Sequence, residues 1–518
     1  MYSGIKLQNS FNNLKKNNLM EKPLKIILVH PYVTSRKDTG LCEPLGLISI
    51  ATYIKSIFNN TISIEILDLF ALGKGVSQNK DGIYINGLKD ETFLKNFLNT
   101  KKPDIIGIQS NFTTYSHDSL EIAKISKSVC PNSLVLLGGA HVSMDSQKIL
   151  ENNFFVDLII RGEGEITFKE IIDKKLLNQP FETVDGLTLR SNNQIIMTKD
   201  RELIPDINIL PILERSYIDV EFYKKMNEKM LPFTKNVPAA TIMTSRGCPF
   251  NCIFCSTKMM WKRKWRPLSY EKVIQEIEQL VKNYGIKEIA IMDDQFIIDK
   301  KRVIRICEYL ISQKLAVSLS IPSGTSIWLV DEELLRKMKD AGFYRLSFPI
   351  ESGNAKTLSF IRKPINLGEV KQKIALANRI GYWTTGNFII GFPYETHEEI
   401  EETIQYACNS GLDYAIFFIA KPYAGAELTD IFIKEGLMKD FVQLSDIEHS
   451  DISTKYFSSA QLNKYHQKAY RKFLIYKIIF YLNPLNFYRY MVPKLRSSAD
   501  IRYALCKILL NGVRMKIR

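Results

Sequence analysis

The chain is short of several things. Only eight of its 518 residues are cysteine, far too few for a disulfide scaffold. No apolar run reaches the roughly 18 residues a spanning helix needs. The longest candidate, Leu474–Leu482, is broken by Lys477. The first residues lack an apolar core followed by a small-residue cleavage site, so no secretory signal is expected. Residues 1–23 are rich in Asn and Lys and are expected to form a flexible leader. No internal repeat of roughly 20–50 residues is present. Acids are scarce in one place. From Lys464 to Arg518 there are 13 Lys/Arg and one acid, Asp500, so this stretch carries +12 of the total +15. The remaining 463 residues sit near +3. Any charge-driven partner therefore belongs to the tail. What remains is ordinary: 45% apolar and 24% charged residues exclude a disordered or fibrous chain.

The length implies two to four domains at about 150 residues each. Residues 24–175 alternate short apolar runs with helical spacing: KIILV, PLGLISIATYIK, ISIEILD, DIIGIQ, a helix over His117–Val129, SLVLLG, VDLIIR and a helix from Glu165. Apolar strands separated by helices imply a doubly wound, Rossmann-like parallel sheet. Its ligand would lie beyond the strands' carboxyl ends, which here carry HPY, QSNFTT, GGAHVS and RGEGE. Residues 176–235 read as a connector, with a hairpin over Val184–Asp200 turning at Ser191-Asn192-Asn193. Residues 236–440 hold six further β/α repeats, a partial TIM-like (β/α)6 barrel with its chemistry at the carboxyl ends of the strands. From 441 to 518 the pattern is helical and basic.

Cysteine is unevenly placed. Cys42, Cys130, Cys307, Cys408 and Cys506 are scattered, but Cys248, Cys252 and Cys255 fall in SRGCPFNCIFCS, directly after the first barrel strand. Three thiolates on one loop can hold three irons of an iron–sulfur cube, which normally takes four cysteines. With three, one iron stays open. Zinc is the rival, but a structural zinc site needs a fourth Cys or His nearby, and none is near. Three plain buried thiols are the remaining reading.

The string CPFNCIFC, with Phe254 before its last cysteine, resembles the radical S-adenosylmethionine (SAM) superfamily. The resemblance implies a 4Fe-4S cluster on Cys248, Cys252 and Cys255. It implies that the amino and carboxylate groups of SAM take the open iron, and that reductive cleavage yields a 5′-deoxyadenosyl radical. Later segments extend it in order, each at a strand end. MDDQF carries Asp294, expected near the methionine amino group. PSGTSIWLVDEELLRKMKDAG follows the third strand. FPIESG carries Glu351, expected to face the nucleoside, and IIGFPYET carries Gly391 and Pro393, expected to hold the adenine. KPYAGAEL ends the sixth strand. The pair Asp293–Asp294 has a metal or acid/base reading too, which the family context explains less well.

Residues 24–175 resemble the cobalamin-binding domain that precedes the radical core in one subgroup, so the resemblance covers roughly residues 24–440. The implied contacts are Pro44 and Gly46 in PLGLISIATYIK, Gln109 and Ser110 in DIIGIQSN, Gly138, Gly139 and His141 in LLGGAHVS, and Gly162, Glu163 and Gly164 in DLIIRGEGE. His141 has a second reading as a surface-loop residue, and Glu163 as a cap of the following helix. None of the six histidines has Asp two residues before it, so no Asp-x-His-x-x-Gly ligand to cobalt is expected. The lower face would be empty, water-bound or covered by a loop such as Gln109–Thr113.

The expected activity is cobalamin-dependent radical SAM methylation of an unactivated carbon in a small-molecule or lipid-like substrate. The alternative is oxidative cyclisation or rearrangement of the anaerobic Mg-protoporphyrin monomethyl ester cyclase type, which the sequence does not separate from methylation. A tRNA methylthiotransferase needs three more cysteines in an amino-terminal domain, where only Cys42 and Cys130 precede the core. A non-catalytic cobalamin or redox sensor would leave the full set of cofactor segments unexplained. No catalytic acid, base or hydrogen donor is legible. The expected partners are a substrate and an electron donor such as flavodoxin or ferredoxin, with no nucleic acid. The expected location is the cytoplasm. For the tail, Ala469–Leu482 and Ile501–Leu510 interleave basic, aromatic and aliphatic residues. They read as helices packed on the barrel, roofing its mouth, or lying on the inner face of a membrane.

Overall fold

The computed structural model describes residues 22–35, 41–73, 76–78, 83–192, 194–230, 234–438 and 451–505. Two sheets organise them. The first runs β7-β6-β5-β4-β3-β1-β2. Its strands are β1 (Leu24–His30), β2 (Ile62–Asp68), β3 (Ile105–Gln109), β4 (Leu134–Gly138), β5 (Leu158–Ile160), β6 (Leu187–Ser191) and β7 (Gln194–Met197). The first five are mutually parallel. Period-two alternation divides β1 between two layers: Ile26 and Leu28 join one core cluster, Ile27 and Val29 the other. Helices α1 (Leu45–Phe58) and α4 (Gly164–Leu176) cover the first face. Helices α2 (Glu91–Lys101) and α3 (Ser116–Val129) cover the second. The connections leave β1 and β3 toward opposite sides, which opens a crevice beyond their carboxyl ends.

The hairpin assigned above to the connector instead completes this sheet. Strand β6 pairs antiparallel with β5, Leu158 opposite Leu189, which satisfies an edge and buries Leu187 and Leu189. Asn193 of its turn lies outside the described residues. Two further features carried no periodic signal. One is a small sheet of three-residue strands, Val33–Ser35, Tyr84–Asn86 and Val76–Gln78. The other is α2, which buries only Leu94 and Leu98.

The second sheet has six parallel strands in chain order: β8 (Ala239–Ile242), β9 (Glu288–Ile291), β10 (Ser318–Ile321), β11 (Phe343–Glu351), β12 (Trp383–Ile390) and β13 (Tyr414–Ile419). The intervening helices are α5 (Tyr270–Tyr284), α6 (Lys300–Ser312), α7 (Glu332–Asp340), α8 (Ala355–Phe360), α9 (Leu367–Ile380) and α10 (His397–Asn409). Each begins on a side-chain cap: Ser269, Asp299, Asp331, Asn354, Asn366 and Thr396. These caps satisfy amide donors that a helix start leaves unpaired.

After residue 450 come α11 (Ser459–Leu482), α12 (Pro484–Tyr490) and α13 (Ser498–Tyr503). Residues 506–510 of the second amphipathic stretch lie outside the described residues. Helix α11 lies along edge strand β13. His466 Nε2 meets the Phe417 carbonyl at 2.7 Å, and the Phe417 amide donates to the Tyr470 hydroxyl at 3.2 Å. Farther on, the Tyr481 hydroxyl reaches Asp413 (3.0 Å), just before β13 begins. Tyr503 packs on Tyr344 and Trp383 at the amino ends of β11 and β12. These contacts put residues 466–503 on the side and amino end of the barrel, while the start of the tail packs at the carboxyl end of β12, where Lys455 donates to the Pro393 carbonyl and Leu462 lies against Gly391.

Candidate functional site

The carboxyl ends of both sheets face one cavity of about 570 Å³. The first sheet contributes Gln109 from β3, Gly138 from β4 and the loop Gly162–Glu165 after β5. The barrel contributes Met243, Ser256, Thr257 and Asp294, and the connector contributes Ile207 and Leu210–Leu213. Much of the wall is apolar, as with Leu45, Leu136, Ile160, Phe168 and Met260. No histidine is among the residues lining it.

Glycines make room at this wall. A β-carbon on Gly162 would meet nothing within 4 Å, and one on Gly138 only Ile160 at 4.0 Å. The space they leave is open to a ligand that approaches the backbone closely. Gly46, Gly139, Gly164 and Glu163 also line the cavity. Three expected contacts do not. The Pro44 carbonyl accepts from Ile48 and starts α1. The Ser110 amide donates to Gly138 (2.7 Å), while its buried hydroxyl has no partner among the described residues. His141 Nδ1 meets the Thr113 hydroxyl at 3.1 Å, and burial lowers its pKa. Beneath Gln109, buried His30 holds the Gln109 amide oxygen through Nδ1 (2.7 Å).

Glu163 neither caps α4 nor stands free. It accepts from Arg246 (2.6 Å), Arg266 (2.7 Å) and the Ile204 amide (2.9 Å). Arg246 also grips Glu165 at 2.6 Å. Burial is the largest influence and raises the Glu165 pKa, but the Arg246 charge together with hydrogen bonds from Arg246, Ser49 and the backbone outweighs it and the net shift is downward. Arg246 stands two residues before Cys248, so the loop after β5 is tied directly to the strand that leads into the cysteine loop. A second buried clasp does the same nearby. Arg215, 1% exposed, joins Glu43 (3.3 Å), Glu276 (3.0 Å) and the Thr241 carbonyl (2.8 Å). The Thr241 hydroxyl donates to Glu43 at 2.6 Å.

On the barrel side, Cys248, Cys252 and Cys255 are free thiols of intermediate exposure. Burial pushes Cys248 up to about 11 and raises Cys252 against the pull of Lys363. Among the described residues no three His, Cys, Asp or Glu converge on a point that would hold one metal ion. A single ion demands all its ligands within about 2.3 Å of one centre. A four-iron cube instead offers three separate irons, so its thiolates need no common point. The donor set fits that group.

Asp293 and Asp294 divide their work. Asp293 is fully buried and accepts from the Thr244 amide (2.5 Å) and the Thr244 and Ser245 hydroxyls (both 2.6 Å). It fixes the start of the cysteine loop. Asp294 faces the cavity, and burial followed by the Asp293 charge pushes it up to about 6. Phe254 packs on Phe392, ring centroids 6.2 Å apart. The Gly391 amide, at φ +84°, donates to Glu395 (2.6 Å). Burial pushes that carboxyl up to about 8 despite the amide bonds. The Pro393 carbonyl accepts from Lys455 at 3.2 Å. Glu351 is buried at φ +70° and binds Lys363 at 3.0 Å. Lys363, itself buried, leans electrostatically on Cys252 as well.

Residues 242–407 match the radical SAM superfamily, and residues 36–172 match the B12 binding domain. An uncharacterized methyltransferase of Pyrococcus horikoshii is 34% identical over 473 residues, 89% of this chain and 94% of its own. The chain belongs to the radical SAM superfamily, with a B12-binding domain ahead of its core. A second relative of this radical SAM protein is the cytidylyl-2-hydroxyethylphosphonate methyltransferase of Streptomyces wedmorensis. It is 29% identical over 80% of this chain and 82% of its own. The fold matches that of the radical SAM methyltransferase TsrM from Kitasatospora setae, solved with cobalamin and a 4Fe-4S cluster bound. There the TM-score is 0.64 and identity 15%, covering 78% of this chain and 77% of the other.

Sequence reasoning missed Arg246, Arg266, Lys363 and the Arg215 clasp. Arg246 and Glu165 stood inside quoted motifs, but their pairing joins positions 81 residues apart and leaves no local signal.

Proposed function

We propose that this radical SAM protein methylates an unactivated carbon of a small-molecule or lipid-like substrate. The observation that carries the proposal is the shared cavity, which runs from the glycine ends of β4 and β5 to Ser256 and Thr257 beside the cysteine loop. When bound, the cluster supplies the electron that cleaves SAM and the corrin supplies a methyl group held on cobalt. The chain does the rest. We assign Cys248, Cys252 and Cys255 to three irons, leaving the fourth for SAM. Asp294 would accept from the SAM amino group. Glu351, held by Lys363, would face the nucleoside, and the Gly391–Pro393 backbone would face the adenine, with Phe254 packed behind it. Gly46, Gln109, Gly138, Gly139, Gly162 and Gly164 would receive the corrin. Glu163, held by Arg246 and Arg266, would stand beside them at the same wall, and Pro44, Ser110 and His141 would support them from behind. The apolar wall excludes water from reactive carbon. A flavodoxin or ferredoxin would deliver the electron. We place the enzyme in the cytoplasm, with peripheral contact at the inner face of its membrane.

The test is anaerobic reconstitution with iron, sulfide, cobalamin, SAM and reductant, reading 5′-deoxyadenosine and S-adenosylhomocysteine by mass spectrometry. Both products, with corrin retained, are expected. Deoxyadenosine without the homocysteine product would favour ring formation or rearrangement. Neither product, with unchanged iron in Cys252→Ala, would overturn the reading.

A further inference from the structure

The basic tail presents a surface that the chemistry above does not use. The one acid of residues 464–505, Asp500, is buried and pairs with Lys235 at 2.6 Å. Lys468 and Lys472 pair with Glu401 of α10, and Lys494 is buried on Asp413. Arg471, Arg489, Arg496 and Arg502 remain exposed. The same stretch, residues 471–505, holds ten of the 23 exposed large apolar side chains of the described residues. That concentration marks a patch rather than scattered surface residues.

Its geometry is regular. Ile475, Ile478, Ile479 and Leu482 recur at i, i+3, i+4 and i+7 and form one stripe on α11, from 51% to 75% exposed. The opposite side of that helix buries Phe473 and Lys477. Leu485 and Tyr488 of α12 are exposed as well, at 78% and 73%. The sequence adds four more cations and no acid over residues 506–518.

We propose that this face docks on an anionic lipid bilayer. Aliphatic side chains with interleaved arginines and tyrosines suit the boundary between headgroups and acyl chains. No helix among the described residues is long and apolar enough to cross a membrane, so the face lies on the surface. A second copy is the poorer occupant, because two such faces would oppose arginine to arginine with no exposed acid between them. The proposal rests on the peripheral location inferred above and on none of the redox chemistry. The docking face sits toward the amino end of the barrel, where Tyr481 and Tyr503 anchor the tail. It holds the enzyme at the bilayer and leaves the cavity facing away.

The experiment is flotation of the full-length holoprotein with phosphatidylcholine vesicles, with and without phosphatidylglycerol. Binding to the anionic vesicles alone is expected, weakening as salt rises. Ile479→Glu with Leu482→Glu should cut partition at least about tenfold. Arg471→Gln and Arg489→Gln should each cut it about fivefold. These positions are exposed, so folding and corrin content should stay unchanged. Binding to both vesicle types alike, no binding, or a double glutamate variant that still floats would overturn the proposal. A lipid-free dimer dissolved by that variant would assign the face to a second copy. Vesicle binding requires no turnover, so its failure is separate from failure of the methylation assay.

Discussion

The two ends of the barrel sheet are built differently. At the carboxyl end stand three free cysteines and Asp294, which faces the cavity. At the amino end the buried charges Glu288 and Lys494 are matched and covered. Glu288 accepts from the amides of Lys235 and Asn236 (both 2.8 Å) and the Tyr344 hydroxyl (2.7 Å). Lys494 is sealed between Asp413 and Asn378. One end presents binding groups to the cavity and the other covers its charges, in keeping with the division expected of barrels.

The sharpest way to break this comparison is Cys252→Ala. Deoxyadenosine formation should fall to background and iron content should drop, while folding stability changes by less than about 0.5 kcal/mol. A large stability loss would show that the carboxyl end also holds the fold. Arg246→Ala is next, because it strips a cation from buried Glu163 and Glu165. Breaking such a pair costs about 3–5 kcal/mol, toward the low end here because Arg266 still holds Glu163. Chemical denaturation measures it, and Arg246→Lys should recover only part, since it lacks the forked geometry.

Glu288 tests the amino end. Burial raises its pKa from 4.5 to about 7. The folded state keeps a proton that the unfolded state releases, so stability falls as pH rises from about 4.5 to 7 and is level above. Glu288→Gln should remove that loss, gaining on the wild type by up to about 3 kcal/mol between pH 5 and pH 8. A constant difference across pH would sink the assignment. The smallest effect is expected at Gly162→Ala. Its β-carbon meets no protein atom, and φ of +76° costs about 1 kcal/mol. Corrin retained after desalting should fall more than stability does; unchanged retention would mean that this space is not the cofactor's.

The carboxyl end was legible because its residues are chosen for local reasons. Cysteine, glycine and strand-end acids announce chemistry within a few positions of chain. The first sheet was legible through its alternation, and α2 was not, because two buried leucines make too narrow a stripe. The amino end was hardly legible. Glu288 and Tyr344 are 56 residues apart, and Lys494 and Asp413 are 81 apart. Each reads alone as an ordinary surface group. Glu163 shows the same limit, since its motif was visible and its arginine partners were not.

The barrel does not close, so it has two edge strands. The middle of each is already occupied. His466 and Tyr470 take both backbone groups of Phe417, and Glu43 and Arg215 take those of Thr241. Side chains thus stand where a foreign strand would otherwise bind. Copies of this chain have little means of zipping together through the barrel sheet, which guards that sheet against fibrous association.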